Sequence, residues 1–303
     1  MTTPSTIEEL DQRFAIAGNA AIVPGHGGMP KVRVTTPQAS GEMYLHGAQV
    51  TSWKPSGADD VLFVSNHAQW HEGIAIRGGV PVCFPWFRAK ADDPKAPAHG
   101  FVRTKAWSLD SIERTGDSVT VEMSTVSDQD TRRWWPADFR LVHSVTFGSD
   151  LKLQLTVTNT GATPFRFEEA LHSYHRVGHA GKIRIHGLDG AAYLDNTDAN
   201  RQKTQQGDVV IAKQTDNAYL NTSSEVDLVD NELKRRILIT KENSLTTVVW
   251  NPWREGARSL SDLGNEEWQH MMCVEASNVL GCAVDLAPGQ QHKMQATIRI
   301  ENL

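Results

Sequence analysis

Four groups of residues in this 303-residue chain have side chains suited to chemistry. Arg77 and Arg103 stand in apolar runs, each beside glycine or a tight turn, in Ile74-Ala-Ile-Arg-Gly-Gly-Val-Pro-Val-Cys-Phe-Pro-Trp-Phe87 and His99-Gly-Phe-Val-Arg-Thr-Lys-Ala-Trp107. Arginine is seldom left among apolar neighbours without a partner. A planar guanidinium beside backbone lacking Cβ atoms suits two-point capture of a phosphate or carboxylate. The alternative partners are the acidic side chains Glu72, Asp92 and Asp93. The second group is His172, His175 and His179. On a helix they would share a face and could hold a metal, whereas on a strand His172 and His175 point to opposite faces. The preceding Phe165, Phe167, Glu169 and Leu171 alternate with Arg166, Glu168 and Ala170, which is strand periodicity. If it continues, His172 and Tyr174 share a face with Glu168 and Arg166. By itself, His172 also reads as a hydrogen-bonded strand histidine. The third is Glu275, inside Met271-Met-Cys-Val-Glu-Ala-Ser-Asn-Val279. A glutamate there is desolvated, paired or needed by a site. It also reads as the solvent face of a half-buried strand, since Met272, Val274 and Ala276 alternate with it. The fourth is a set of nine tryptophans, mostly core or cleft wall, whose rings also suit the apolar faces of sugars.

The elements that must position these residues are mostly strands. Phe139, Leu141, His143, Val145 and Phe147 alternate with polar positions up to Gly148-Ser149-Asp150. Leu151, Leu153, Leu155 and Val157 alternate after it. This predicts an antiparallel hairpin with one buried face. Met294, Ala296, Ile298 and Ile300 repeat the pattern. Further strand-like runs are Lys31–Thr35, Glu42–Trp53, Val61–Val64, Val119–Ser124, Lys182–His186, Arg236–Thr240 and Leu245–Trp250. Many short strands with Gly, Asn and Asp between them predict an all-β sandwich. Helix is expected in two places. Ser5-Thr6-Ile7-Glu8 has capping-box spacing before Ile7, Leu10 and Phe14, an N-terminal helical extension within residues 1–18. The stretch Arg254–Met272 is the other. No linker or repeat divides the chain, so a single domain over 1–303 is expected.

Composition narrows the partners. Thirty basic against 36 acidic residues give a formal charge of −6, so no global field draws nucleic acid or an anionic membrane. An anionic substrate then needs a local basic pocket. Cys83, Cys273 and Cys282 form no CxxC, which argues against a zinc knuckle or disulfide framework and for a reducing compartment. No apolar run approaches a membrane span, and the acidic N-terminus lacks an apolar signal core. A cytoplasmic protein is expected. GxxxxGK[ST], a strand-following GxGxxG and GxSxG are all missing, against ATP, NAD and serine-hydrolase chemistry.

The blocks IRGGVPVCFPWF, AHGFVRTKAW, EEALHSYHRV, WNPW and MMCVEASNV occur in that order. The chain thereby resembles the glucose-6-phosphate 1-epimerases, or hexose-6-phosphate mutarotases, a branch of the aldose 1-epimerase superfamily. The resemblance runs from about Glu42 to about Pro288. It implies a large antiparallel β-supersandwich of the galactose mutarotase type with a few short helices. It implies His172 and Glu275 as the catalytic pair, Arg77 and Arg103 as phosphate contacts, and Asp216 and His99 as sugar contacts. It departs from the family pattern at Ala98, where some relatives carry Gln, and at Asn217, where the family usually has Arg. The implied reaction interconverts the α and β anomers of a hexose 6-phosphate. Carboxylate Glu275 takes the proton of the anomeric hydroxyl, and protonated His172 gives one to the ring oxygen. Reference pKa values of about 4.3 and 6.5 suit the two roles. No metal, nucleotide or redox cofactor is implied. The partner is a small sugar phosphate, with no nucleic acid or membrane, and a monomer is expected. The rival readings are an aldose 1-epimerase for free sugars, a non-catalytic sugar-binding module, and a cupin-like metal enzyme built on the histidine cluster.

Overall fold

Strands that bury one face must find a second layer, and the expected hairpin shows how this chain supplies it. In the computed structural model, which describes residues 5–303, strands Phe139–Phe147 and Leu151–Asn159 pair with Phe147 opposite Leu151 and Phe139 opposite Asn159. Leu141, Val145, Phe147, Leu151, Leu153, Leu155 and Val157 are fully buried. Each contributes about 1.5–3 kcal/mol through apolar burial. The hairpin sits inside an eight-stranded sheet, the support sheet. Its order is Arg184–His186, Val226–Asp230, Arg235–Glu242, Gln291–Asn302, Leu151–Asn159, Phe139–Phe147, Ser118–Val126 and Ser108–Thr115.

A second sheet, the site sheet, faces it. Its order is Arg201–Thr204, Ala192–Asp195, Thr215–Leu220, Thr246–Asn251, Met271–Asn278, Glu169–Leu171 and Val82–Cys83, with Tyr174–Arg176 also paired to Met271–Asn278. Strand pairing in both sheets is antiparallel. Val249, Met272, Val274 and Ala276 of the site sheet pack in one continuous core with the support-sheet residues above. Ala20–Pro24, Pro30–Thr35, Ala39–Tyr44 and Gln49–Pro55 form a further four-stranded sheet, and Phe165–Phe167 pairs with Val284–Leu286. This is the expected all-β, galactose mutarotase-like architecture. Among the described residues no helix is long and apolar enough to cross a membrane.

Several local expectations are corrected. The N-terminal helix is Ile7–Phe14, and its capping box is Thr6 with Glu9, one residue later than expected. Met1–Pro4, part of the expected extension, lie outside the described residues. The run Glu42–Trp53 is split by a turn in which Gly47 and Ala48 both adopt positive φ. Val61–Val64 makes only isolated bridges, Leu62 to His175 and Val64 to Gly78. Lys182–His186 begins as a 3-10 turn, Ala180–Lys182, before the strand Arg184–His186. The long helix expected over Arg254–Met272 is a six-residue helix, Trp253–Arg258, then a turn at Glu267–His270, and Met271 already begins a strand. Asn251 explains this: its Oδ1 accepts from the Trp253 N–H, and its Nδ2 donates to the Trp268 and Met271 carbonyls. One buried amide thus fixes both ends of the connection, which periodicity cannot reveal. A helix at Gln129–Trp134, capped by Asp128, was not expected.

Candidate active site

Strand register brings His172 and Glu275 together. Glu169, Ala170 and Leu171 oppose Asn278, Ser277 and Ala276, while Tyr174 and His175 oppose Cys273 and Met272. The same register carried through the two intervening residues sets His172 opposite Glu275. Opposed residues in an antiparallel pair share a face. On the next strand Val248 opposes Glu275 and Trp250 opposes Cys273; beyond it, Asp216 opposes Trp250. His172, Glu275, Val248, Trp250 and Asp216 therefore lie on one face, and all five line a cavity of about 240 Å³. Met272, Val274 and Ala276 take the opposite, core-facing side. Every residue of Met271–Asn278 is buried, so Glu275 is not on a solvent face.

His172 Nδ1 lies 3.3 Å from Glu275 Oε1, yet this nitrogen and both Glu275 oxygens are buried without a formed hydrogen bond. Buried polar atoms without partners are costly and uncommon away from functional sites. The imidazole stacks on Tyr174, with centroids 4.8 Å apart and planes 9° apart. The rings of His99 and Trp250 meet it edge-on.

Loops over the sheet supply three guanidinium groups. Arg77 donates to the Tyr174 hydroxyl (3.0 Å) and pairs with Asp262 (3.0 Å). Arg88 pairs with Asp216 (2.6 Å) and donates to Asn200 Oδ1 (3.1 Å). Arg103 donates to the Ala98 carbonyl (2.9 Å) and has no carboxylate partner among the described residues. The Nε atoms of all three are buried and unpartnered. None of Glu72, Asp92 and Asp93 pairs with Arg77 or Arg103, so that alternative is set aside. The glycines have a different use from the one expected. A Cβ on Gly78 or Gly79 would lie 2.4 Å from the Phe63 carbonyl oxygen or 2.1 Å from that of Val50. Both have positive φ, so their missing Cβ atoms let backbone segments meet; the approach they serve is internal. His99 and Arg88 hold positive φ without being glycine and brace each other. The His99 N–H donates to the Arg88 carbonyl (2.7 Å), and its Nδ1 accepts from the Arg88 N–H (3.3 Å). Such strain clusters at functional sites.

The charges around the pair are uneven. Burial, then Arg103 and Arg77, hold His172 well below the usual histidine range. Burial, then Asp216, push Glu275 well above the usual carboxylate range. Set by protein groups alone, the shared proton belongs on Glu275. His99 is also held neutral, by burial, Arg103 and His172.

The chain is similar in sequence and fold to known proteins. The aldose 1-epimerase family model covers residues 30–299. The chain belongs to the aldose 1-epimerase family. A "putative glucose-6-phosphate 1-epimerase" from Cenchrus ciliaris is 34% identical over 260 residues, 82% of this chain and 78% of that protein. One of the same name from Escherichia coli K12 is 34% identical over 245 residues, covering 80% and 81%. The crystal structure of a "putative mutarotase (YeaD)" from Salmonella typhimurium superposes with a TM-score of 0.89 at 27% identity, over 96% of each chain.

All six residues expected from sequence, Arg77, His99, Arg103, His172, Asp216 and Glu275, line one cavity. Sequence reasoning missed Arg88 and Asp262; Arg88 directly follows the apolar run that ends at Phe87, a signal that could have found it, whereas Asp262 has no such setting. The strand through His172 is not continuous as expected. It breaks at Glu168, whose carboxylate accepts from the Phe87 N–H (2.7 Å) and the Leu280 N–H (2.5 Å) and so fixes a cavity wall, and again at His172 and Ser173, which lie between the strands Glu169–Leu171 and Tyr174–Arg176. Arg166 instead pairs with Asp285 on the outer ribbon. The three-histidine metal reading fails, because His175 turns to the core side and His179 caps the turn at Ala180–Lys182. His172, Cys273 and Glu275 do bring ligand atoms within 4.8 Å of one another. The neighbouring arginines oppose a cation there, and burial beside Glu275 holds the Cys273 thiol well above its usual range. Of nine tryptophans, Trp250 alone lines this cavity. Ala98 lines it too, while Asn217 points to the other face of the sheet, beside Tyr193 and Lys203.

Proposed function

We propose that this epimerase interconverts the α and β anomers of a hexose 6-phosphate, with glucose 6-phosphate as its substrate. The observation that carries this reading is the juxtaposition of the His172–Glu275 pair with Arg103, a guanidinium without a carboxylate partner among the described residues, in one cavity. The order of charges fits the order of atoms in such a sugar. The phosphate arm leaves C5, the ring oxygen joins C5 to C1, and C1 bears the anomeric hydroxyl. A group acting on the ring oxygen must therefore stand between the phosphate contacts and the group acting on the hydroxyl. Across the sheet Asp216 comes first, Glu275 next and His172 last, and Arg77 is hydrogen-bonded to Tyr174, whose ring stacks on His172. We therefore assign His172 as the ring-oxygen acid and Glu275 as the hydroxyl base. The ring opens, C1–C2 rotates, and closure on the other face reverses the two roles. Arg77 and Arg103 hold the phosphate arm, and Asp216, held by Arg88 and Asn196, meets the sugar hydroxyls. We read the chain as one domain, on the strength of its continuous core, acting as a monomer in the cytoplasm.

Anomer exchange followed by NMR on glucose 6-phosphate and glucose tests this. Arg103→Ala raises KM for the phosphorylated sugar far more than for glucose. Equal effects on both sugars would remove the phosphate from the reading.

A further inference from the structure

Acid–base ring opening needs His172 charged and Glu275 ionised, yet the surroundings of the pair favour the opposite. Across the ring plane stands Tyr174, hydrogen-bonded to Arg77. From the adjacent strand come Cys273 and Glu275, and from the covering loops Arg77, Arg103 and the neutral His99. Asp262 offsets Arg77 and Asp216 offsets Arg88, which leaves Arg103 as the uncompensated charge beside the imidazole. A buried imidazolium next to that guanidinium is opposed by like charge at low dielectric. Arg103 also favours the Glu275 carboxylate, but it is the foremost charge acting on His172 and the last of those acting on Glu275, so its net effect opposes the transfer.

Resting on the hexose 6-phosphate reading, we propose that the substrate's phosphate switches the catalytic pair on. Seated against Arg103 and Arg77, the dianion makes it favourable for the proton on Glu275 Oε1 to move to His172 Nδ1, 3.3 Å away. One O–H bond breaks and one N–H bond forms, with no net proton taken up. The carboxylate needed at the anomeric hydroxyl and the imidazolium needed at the ring oxygen appear together. The burial that makes each ion costly singly then becomes selective: a sugar without a phosphate finds the pair in its unreactive form. Phosphate binding contributes to turnover as well as to affinity, as binding energy from a non-reacting part of a substrate can.

The test splits the substrate in two. D-xylose is the pyranose lacking the C6 arm, and the phosphite dianion stands in for the arm's charge. With wild-type protein, phosphite raises kcat/KM for xylose mutarotation by about tenfold or more, since each pKa unit at His172 changes its charged fraction by about that factor. Arg103→Ala abolishes this activation, and without phosphite it turns over xylose faster than wild type, because the opposing charge is gone. A second readout needs no altered pocket: the ring nitrogens of His172, identified by comparison with His172→Gln, move to the imidazolium signature as phosphite is added. If wild type prefers glucose 6-phosphate to glucose but phosphite leaves xylose exchange unchanged or inhibits it, or His172 stays neutral with phosphite bound, the switch is wrong and the substrate reading stands. If wild type shows no preference for the phosphorylated sugar, the substrate reading itself falls and the switch with it.

Discussion

The two large sheets are built from the same kind of strand and carry opposite burdens. In the support sheet the hairpin strands alternate buried and more open residues, and its central apolar side chains are fully packed. In the site sheet the central strand Met271–Asn278 is buried along its whole length, because the core covers one face and loops cover the other. On that second face lie Glu275 and His172 with unpartnered polar atoms, beneath three arginines. The support sheet has bare buried atoms too, His143 Nε2, Asp227 Oδ1, Arg235 Nε and Lys241 Nζ, but they are spread over three of its strands and line no common cavity among the described residues, whereas those of Glu275 and His172 converge on one cavity with the three arginine side chains. Scattered bare atoms only cost stability; converging ones are what a substrate can complete.

Four substitutions or conditions break or sharpen this contrast. Glu275→Gln lowers kcat by about 10²–10⁴-fold in NMR exchange, the usual weight of a general acid or base, while the thermal midpoint is kept or raised. Wild-type exchange in that variant would end its role as base. Leu153→Ala does the reverse: unfolding by urea shows a loss of about 2–5 kcal/mol, and the folded fraction keeps its kcat. A comparable fall in kcat would mean that the support sheet tunes the site as well as holding it. The next effect belongs to the core between the sheets. His143 and His175 are fully buried, and burial lowers each to about 4, against about 6.5 unfolded. The unfolded chain binds more protons between these values. Stability is therefore complete above about pH 6.5 and falls toward pH 4, by at most about 1.4 kcal/mol per pH unit for each histidine. Thermal scans across that range read the slope, and a flat profile would show that these rings are not held neutral. The smallest effect is at Asn217, on the back of the site sheet: Asn217→Arg leaves kcat/KM for glucose 6-phosphate unchanged, and a change would show that the two faces communicate.

The all-β class and the main hairpin were legible because a half-buried strand leaves a period-two trace in the sequence. His172 and Glu275 were legible for a related reason, being polar groups set in runs that a covered strand must bury. The false helix over Arg254–Met272 shows the limit, since its course is set by Asn251 reaching across to three backbone groups. Asp262 left no sequence trace, and Arg88 only its place at the end of the run through Phe87. Each acquires its role only by the carboxylate or guanidinium that folding brings to it.

The sequence by itself determined which residues are available, how the strands alternate, and that an arginine pair, a histidine and a glutamate needed a reason for their surroundings. Tertiary structure decided which of those residues meet. Register set His172 opposite Glu275, sheet parity sent His175 and Asn217 away, and the loops gave Arg77 a carboxylate while leaving Arg103 without one. Periodicity is a local property and is written in the chain. Charge compensation depends on distances of a few ångströms between residues far apart in sequence, so only the folded protein fixes it.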